Sequence, residues 1–410
     1  MASITLSMIV KNEEQYLRGC LESVRAFVDE IVIVDTGSTD STVIIAKEYG
    51  AKIFNFEWTG NFSEARNESL RHSTGDWILY LDADERIVDG AQLRKLICNA
   101  RAWAYTLLIR GKVHLPSGIV DQVNAYPRLF RRHSKIQFEG VVHEQIMPSI
   151  VRLGKTIESS YVAIEHLGYG ESVGKIIEKG RRNISLLKLQ LRNHPNDDYA
   201  LYQLGNSYVV LKEYDQAEPV LRSVLRSSTL DNSIKSSAYN LLVEIALSKN
   251  KVDEAEQFCI DSLKLTQTQT MARWFLSGIV AYRGKYQEAL CLISEIRSNY
   301  HRKTNLAHDL VLNEHQIQER ELYCYEMLSN EAQQRSDKSE TYRLICEAEK
   351  KKIFSIPLQR KGLEIALSLG DIPSAYSKLE YLVNNLPEGS VKQRGKLMEL
   401  QNKLSKMALL

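Results

Sequence analysis

Gly75-Asp-Trp-Ile-Leu-Tyr-Leu-Asp-Ala-Asp-Glu85 contains an apolar run, Trp77 to Leu81, that ends abruptly in acids. A short continuous apolar run suits a strand buried on both faces, and its carboxyl end here carries charge. Upstream, short β-branched runs alternate with amphipathic stretches, as in βαβ units on a mostly parallel sheet. Strands are expected at Ile4 to Val10, Glu30 to Asp35 and Lys52 to Phe56, with helices at Gln15 to Phe27, from Asp40 or Ser41 to Tyr49, and at Glu64 to His72. In open α/β sheets ligands bind beyond the carboxyl ends of strands. Three such ends carry polar clusters: Lys11-Asn12-Glu13, Asp35-Thr-Gly-Ser-Thr-Asp40 and Asp82-Ala-Asp-Glu85. They outline one crevice.

From Tyr105 to Glu165 the texture changes to short, irregular strand-like pieces bounded by Gly and Pro, which carry His114, His133 and His143, with His166 just beyond. From Val173 helical periodicity takes over, so the chain divides into an α/β domain, 1–172, and an all-α domain, 173–410. Leu204-Gly205, Tyr208 and Ala217 have the spacing of a helix-turn-helix repeat, in which small residues allow close helix contact. Weaker echoes follow: Ala246 with Ala255, Leu276 with Gly284-Lys-Tyr286 and Ala289, and Gly370-Asp371 with Ala375 and Pro387. The pattern resembles degenerate tetratricopeptide repeats, arrays whose concave face binds peptides or protein segments. Self-association into a homodimer is the other use of such a face.

With 410 residues, two domains are expected. Lys plus Arg (53) nearly balances Asp plus Glu (51), so no global basic field exists to hold nucleic acid or an anionic membrane. The first ten residues have no positive leader, and their apolar run breaks at Lys11-Asn-Glu-Glu, far short of a membrane span; a cytoplasmic protein is expected. Six scattered cysteines with no Cys-x-x-Cys pair suit buried, reduced thiols.

Asp82 and Asp84 flank one small residue, so both carboxylates can converge on a cation that also bridges the phosphates of a nucleoside diphosphate. Oxygen ligands suit Mg2+ or Mn2+. Asp35 can accept hydrogen bonds from a base or a ribose, Asp40 caps a helix, and Arg66 can contact a phosphate or face water.

Ser7-Met-Ile-Val-Lys-Asn-Glu13, Ile31-Val-Ile-Val-Asp-Thr-Gly-Ser-Thr-Asp40, Asn61-Phe-Ser-Glu-Ala-Arg-Asn67 and Gly75 to Glu85 resemble the family 2 glycosyltransferases. The resemblance implies a GT-A (Rossmann-like) fold, a nucleoside-diphosphate sugar donor such as a UDP-sugar, and inversion at the anomeric carbon. It further implies that Val10 and Glu13 lie beside the nucleotide, that Asp35 binds the base, and that Asp84 holds the metal with Asp82 near the ribose or the metal. Together with the repeats, Phe138-Glu-Gly-Val-Val-His-Glu144 and Ile164-Glu-His-Leu-Gly-Tyr169 are similar to the bacteriocin-peptide glycosyltransferases that modify cysteine or serine, which implies a peptide or protein acceptor. A cell-surface glycan or lipid-linked saccharide is the rival acceptor, and an idle scaffold is the rival that is not an enzyme.

Inverting transfer needs a base opposite the leaving diphosphate. Glu144 is the candidate, with His143 as a hydrogen-bonding or phosphate contact. His166 is expected as a third metal ligand, since GT-A enzymes often supply a late histidine and imidazole suits Mn2+ better than Mg2+. Arg181-Arg182 either clamps the diphosphate or faces water.

Overall fold

The computed structural model describes residues 2–98, 100–115, 118–167, 173–299, 309–312, 314–387 and 390–407. Strands β1 (Ile4–Val10), β2 (Glu30–Asp35), β3 (Lys52–Asn55) and β4 (Trp77–Tyr80) run parallel in the order β3-β2-β1-β4. Their crossovers are made by helices α1 (Leu17–Val24), α2 (Thr42–Glu48) and α3 (Phe62–His72). Because the strands are parallel, their carboxyl ends open on one edge of the sheet, in a Rossmann-like arrangement.

Alternation along these strands builds two different faces. Ile4, Leu6 and Met8 of β1 join Ile31, Ile33, Trp77 and Leu79 in one fully apolar core, closed by Leu17 and Leu21 of α1. Each such side chain contributes about 1.5–3 kcal/mol by leaving water. The other face of β1 carries Thr5 and Ser7, both buried. These small side chains let α3 come close: the Ser7 and Ser69 hydroxyls are 2.5 Å apart. The close approach of α3 brings Arg66 to the end of β4.

Beyond β4 the sheet continues through β5 (Glu85–Ile87), β6 (Ala104–Leu115), β7 (Gly118–Arg131) and β8 (Ile157–His166), in the order β4-β7-β6-β8-β5. Strand β7 is antiparallel to both β4 and β6. The expected short, irregular pieces are therefore long strands. Pro127 is absorbed at a register shift, where Tyr105 faces Leu129 and Thr106 faces Pro127, so Arg128 is an extra, bulged residue. A third partner, β9 (Asp309–Val311), pairs antiparallel with β7.

Helices begin at α6 (Val173–Asn193), preceded in the α/β part by the short α4 (Ala91–Cys98) and α5 (Met147–Arg152). The expected boundary at 172/173 and the Gly168-Tyr169 end of the second motif fall at or in 168–172, outside the described residues. The chain forms two compact units that divide at Ala272. The first unit takes in the sheet, β9, α6, α7 (Asp198–Val210), α8 (Tyr214–Val224), α9 (Asn232–Ser248) and α10 (Val252–Leu265). The second holds most of α11 (Thr270–Tyr282), followed by α12 (Tyr286–Asn299), α13 (Glu314–Gln334), α14 (Lys338–Lys350), α15 (Ile356–Leu369), α16 (Ile372–Asn385) and α17 (Val391–Met407).

The repeat signals are borne out in both units. Ala217, Ala255, Ala289 and Ala375 are fully buried. A Cβ on Gly205 would lie 2.6 Å from Leu221, so α7 and α8 touch at a glycine. Lys212, Asn250, Gly284, Ser336 and Gly370 each turn one helix into the next with positive φ. Asn250 to Gly284 and Ser336 to Gly370 each span 34 positions, the tetratricopeptide period. Among the described residues no helix is long and apolar enough to cross a membrane. All six cysteines are free; Cys20, Cys259 and Cys324 are buried as expected, whereas Cys98 and Cys291 are exposed.

Candidate active site

The first two polar clusters interlock. Asn12 stands in a left-handed conformation (φ 55°) after β1 and accepts the Thr39 N–H at 2.8 Å. The Glu13 N–H donates to the Thr42 hydroxyl at 2.7 Å, and the Glu14 N–H to Asp40 at 3.1 Å. Asp40 also accepts the Thr42 N–H at 2.9 Å, from one position before the N-cap Ser41, whose own side chain makes no cap bond. Asp35 is buried and accepts from the Ser38 hydroxyl at 2.5 Å and from the Ser38 and Gly37 N–H groups. Its carboxylate thus shapes its own loop. Val10 is buried in the apolar core, and its carbonyl accepts the Thr36 N–H at 3.0 Å, so it reaches the crevice through its backbone.

The Asn61–Asn67 motif belongs to α3 and clamps a loop from far along the chain. Asn61 caps the helix by accepting the Glu64 N–H. Ser63 donates to the Gly140 carbonyl at 2.5 Å, and Asn67 exchanges two hydrogen bonds with the Phe138 backbone at 2.8 and 3.0 Å. A paired bridge between Glu139 and Gln145 pinches off Gly140 to Glu144, with Gly140 (φ 97°) and His143 (φ 55°) making the tight turn. That turn aims Glu144 inward.

Arg66 meets it there. With 8% of its side chain exposed, Arg66 donates from Nε to Glu144 and from Nη2 to Asp82 at 2.7 Å, while its guanidinium lies over the Tyr80 and Phe138 rings. Neither a free phosphate contact nor a solvated helix face describes it. Its acid partners lie 16 and 78 positions away in sequence, out of reach of any helix-face pattern. Arg128, aimed by its bulge, also lies over the Tyr80 ring, 4.3 Å from its centroid, donates to Glu85 at 2.8 Å and stands 3.6 Å from Asp82. Burial alone would raise the Asp82 carboxyl, but the two guanidiniums outweigh it and hold Asp82 well below the usual carboxylate range. Glu85 is pushed up to about 7, by burial first and by the charge of Asp82, against the pull of Arg128.

The two aspartates therefore do not converge. Asp82 turns to the arginines, while Asp84 faces His166, whose Nε2 is 3.0 Å from Oδ2. Pairing of β5 with β8 sets Glu85 opposite His166 and fixes that approach. Among the described residues no group of three or more His, Cys, Asp or Glu side chains is assembled to hold a metal ion. The expected three-ligand set is thus reduced to Asp84 and His166, because Asp82 is already neutralised. Burial would lower the His166 pKa, but Asp84, through its hydrogen bond and its charge, raises it. Glu13, near both aspartates, is pushed up to about 7 by burial first and then by Asp84; Lys179 opposes this, and Asp82 and Asp40 add to it.

His143 lies beside α6. Asn183 of that helix is 3.5 Å from His143 Nε2, and burial first, with Arg182 helping and Glu144 opposing, lowers the imidazole pKa. Arg182 lies over the Phe62 ring at 5.3 Å, and Arg181 is exposed. Sequence reasoning missed Arg128 and Asn183, and it placed Glu85 in the crevice without a role. Arg128 had one signal, a charge beside Pro127 within the apolar stretch Ala125 to Phe130.

Residues 5–111 match the family model described as glycosyl transferase family 2. A TPR repeat-containing protein of Synechococcus elongatus is 33% identical over 261 residues, covering 61% of this chain and 62% of that one. The SPbeta prophage-derived glycosyltransferase SunS of Bacillus subtilis is 28% identical over 232 residues, 55% of this chain and 54% of its own. The chain thus spans a little over half the length of these curated relatives. A crystal structure of glucosyl-3-phosphoglycerate synthase from Mycobacterium tuberculosis overlaps 40% of this chain and 70% of its own at 16% identity, with a TM-score of 0.30, too distant to bear on the site. The family match covers β1 to β5 and the acids at their ends, and over those residues the chain is similar to the family 2 glycosyl transferases.

Proposed function

We propose that the chain is a metal-dependent, inverting glycosyltransferase of the cytoplasm that moves a sugar from a UDP-sugar to a peptide or protein acceptor. Residues 1–172 form its catalytic domain in this reading, and 173–410 form the repeats that present the acceptor. One observation carries it: the acids at the carboxyl ends of β1, β2 and β4 share one crevice with Glu144, which reaches it from a separate loop through Arg66. Two carboxylate centres on different supports suit a reaction in which the donor sits on one side and a base on the other.

A carboxylate oxygen and an imidazole nitrogen 3.0 Å apart fit a divalent cation, and the nitrogen favours Mn2+ over Mg2+. Asp84 and His166 would hold such an ion, which would supply Lewis-acid neutralisation of the diphosphate. Glu144 takes the proton from the acceptor hydroxyl or thiol. The acceptor atom bonds to the anomeric carbon as the bond from that carbon to the diphosphate oxygen breaks on the opposite face, which inverts the centre. Arg66 engages one Glu144 oxygen and leaves the other for the proton. His143 supports the same loop, and the loops of Glu13 and Asp35 form the nucleotide wall.

The test is a thermal-shift panel of nucleoside diphosphates and UDP-sugars with and without Mn2+. Ligand at 100 times its dissociation constant stabilises the native state by about 2.7 kcal/mol. A metal-dependent rise with UDP or a UDP-sugar supports the donor class, and peptide screening then tests the acceptor. No rise with any nucleotide overturns the reading.

A further inference from the structure

We propose that Gln190 of α6 positions Glu144, so that the first long helix after the sheet sets the geometry of the loop that carries the base. The inference rests on the reading of Glu144 as that base. The loop turns through Gly140 (φ 97°) and His143 (φ 55°), and a histidine keeps a left-handed conformation only where its surroundings impose it. Val141 is held from both sides. Its carbonyl accepts the Phe62 N–H of α3 at 2.8 Å, and its N–H donates to Gln190 Oε1 at 2.8 Å. Helix α3 also carries Arg66, the ion-pair partner of Glu144. Gln190 therefore closes the second side of a clamp whose first side is the helix that holds the carboxylate.

Gln190 is itself fixed. It is buried, and its Nε2 donates to Asp197 Oδ2 at 2.6 Å, while Asp197 Oδ1 accepts the Ala200 N–H at 2.9 Å and so caps α7. An N–H stands on one side of Gln190 and a carboxylate on the other. A side-chain amide accepts from the first and donates to the second, which neither a carboxylate nor an ammonium does. The same two helices touch the loop again: Asn183 of α6 lies 3.5 Å from His143 Nε2, and Tyr199 of α7, which accepts from Gln203 at 2.7 Å, hydrogen-bonds the side chain of Gln145. The bonds from Ala200 to Asp197, from Gln190 to Asp197 and from Val141 to Gln190 run in series from the first turn of α7 to the loop. Removing the amide takes the partner from the Val141 N–H and unties the loop on its α6 side.

The experiment follows Mn2+-dependent release of UDP, with water as the acceptor, from the UDP-sugar that the full chain turns over fastest, together with hydrogen exchange of the peptide 138–146. Gln190→Leu should lower kcat about 10- to 100-fold, the loss expected when a catalytic group is displaced by about 1 Å. The KM for the donor should stay within about twofold, because the donor's own contacts are untouched. Peptide 138–146 should exchange faster while β1 and β2 keep their protection. A merely structural role would lower the melting temperature and leave kcat unchanged below it. Gln190→Glu should behave like Gln190→Leu, since it sets a second carboxylate against Asp197. Adding Asp197→Asn restores both bonds with donor and acceptor exchanged, keeps a capping side chain on α7, and should recover most of the lost kcat. Should Gln190→Leu fail to fold, the comparison of Gln190→Glu with that double variant decides. A wild-type kcat in Gln190→Leu, or a double variant no faster than Gln190→Glu, overturns the inference while the base reading stands. Wild-type turnover in Glu144→Gln overturns the base reading and the inference with it, and a wild-type chain that turns over no UDP-sugar overturns the donor reading as well.

Discussion

Replacing Arg66 by Leu removes the one cation shared by Asp82 and Glu144. The Asp82 contact at 2.7 Å corresponds to a Coulomb attraction of about 6 kcal/mol at an effective dielectric of about 20. Water screens much of that, because 38% of the Asp82 side chain is exposed, and Arg128 still stands 3.6 Å away. Glu144 decides the magnitude, with only 12% of its side chain exposed and Arg66 as its ion-pair partner. Stranding one member of a buried pair costs about 3–5 kcal/mol. Loss of the stacking on Tyr80 and Phe138 adds about 0.5–2 kcal/mol. Arg66→Leu should therefore destabilise the catalytic unit by about 3.5–7 kcal/mol. Urea unfolding followed by tryptophan fluorescence measures it, since Trp58, Trp77 and Trp103 all lie in that region. Adding Glu144→Gln should recover about 1–3 kcal/mol, the coupling expected of contacting residues. A loss under about 1 kcal/mol for Arg66→Leu, or a second substitution that deepens it, would refute the idea that Arg66 is held by charge.

Asp84→Ala should abolish Mn2+-dependent donor turnover and leave the melting curve of the ligand-free protein unchanged; undiminished turnover removes Asp84 from the mechanism. Glu144→Gln should keep UDP binding within about twofold and lower transfer at least about 100-fold, in line with loss of a general base, and retained transfer would assign the base elsewhere. Burial would raise the Glu30 carboxyl, but Lys52, Thr5 and Thr74 hold it at about 2 instead of 4.5. The folded state thus binds that proton less readily than the unfolded chain, so the stabilisation is complete above about pH 4.5 and is lost as pH falls through about 2. The stability gap between wild type and Glu30→Gln should shrink over that window in urea titrations, and a constant gap contradicts it. Gly205→Val should cost about 1–3 kcal/mol by forcing apart α7 and α8, read as a lower melting temperature.

Strands β1 and β2 were legible to the residue because β2 is an apolar run ending at Asp35 and β1 is rich in apolar and small residues up to the charge at Lys11. The hairpin of β6 and β7 was not, since Gly111, Gly118 and Pro127 punctuate it as a loop would, and only the bulge reconciles a proline with a long strand. The site was legible as far as its acids. Its wiring was hidden, because sequence spacing shows which residues share a helix face but not which distant loop a side chain will meet. Asp82 and Asp84, two apart, looked like a pair; one turns to Arg66 and the other to His166.

The contacts of α6 with the sheet domain, Gln190 accepting the Val141 N–H at 2.8 Å and Asn183 beside His143 at 3.5 Å, bear on how such proteins can be recombined. A graft that exchanged the repeats at the end of β8 would discard the acceptor of the Val141 N–H and the neighbour of His143, and with them the support of the loop carrying Glu144. A chimaera that keeps the support of this loop must therefore carry α6 along with the sheet.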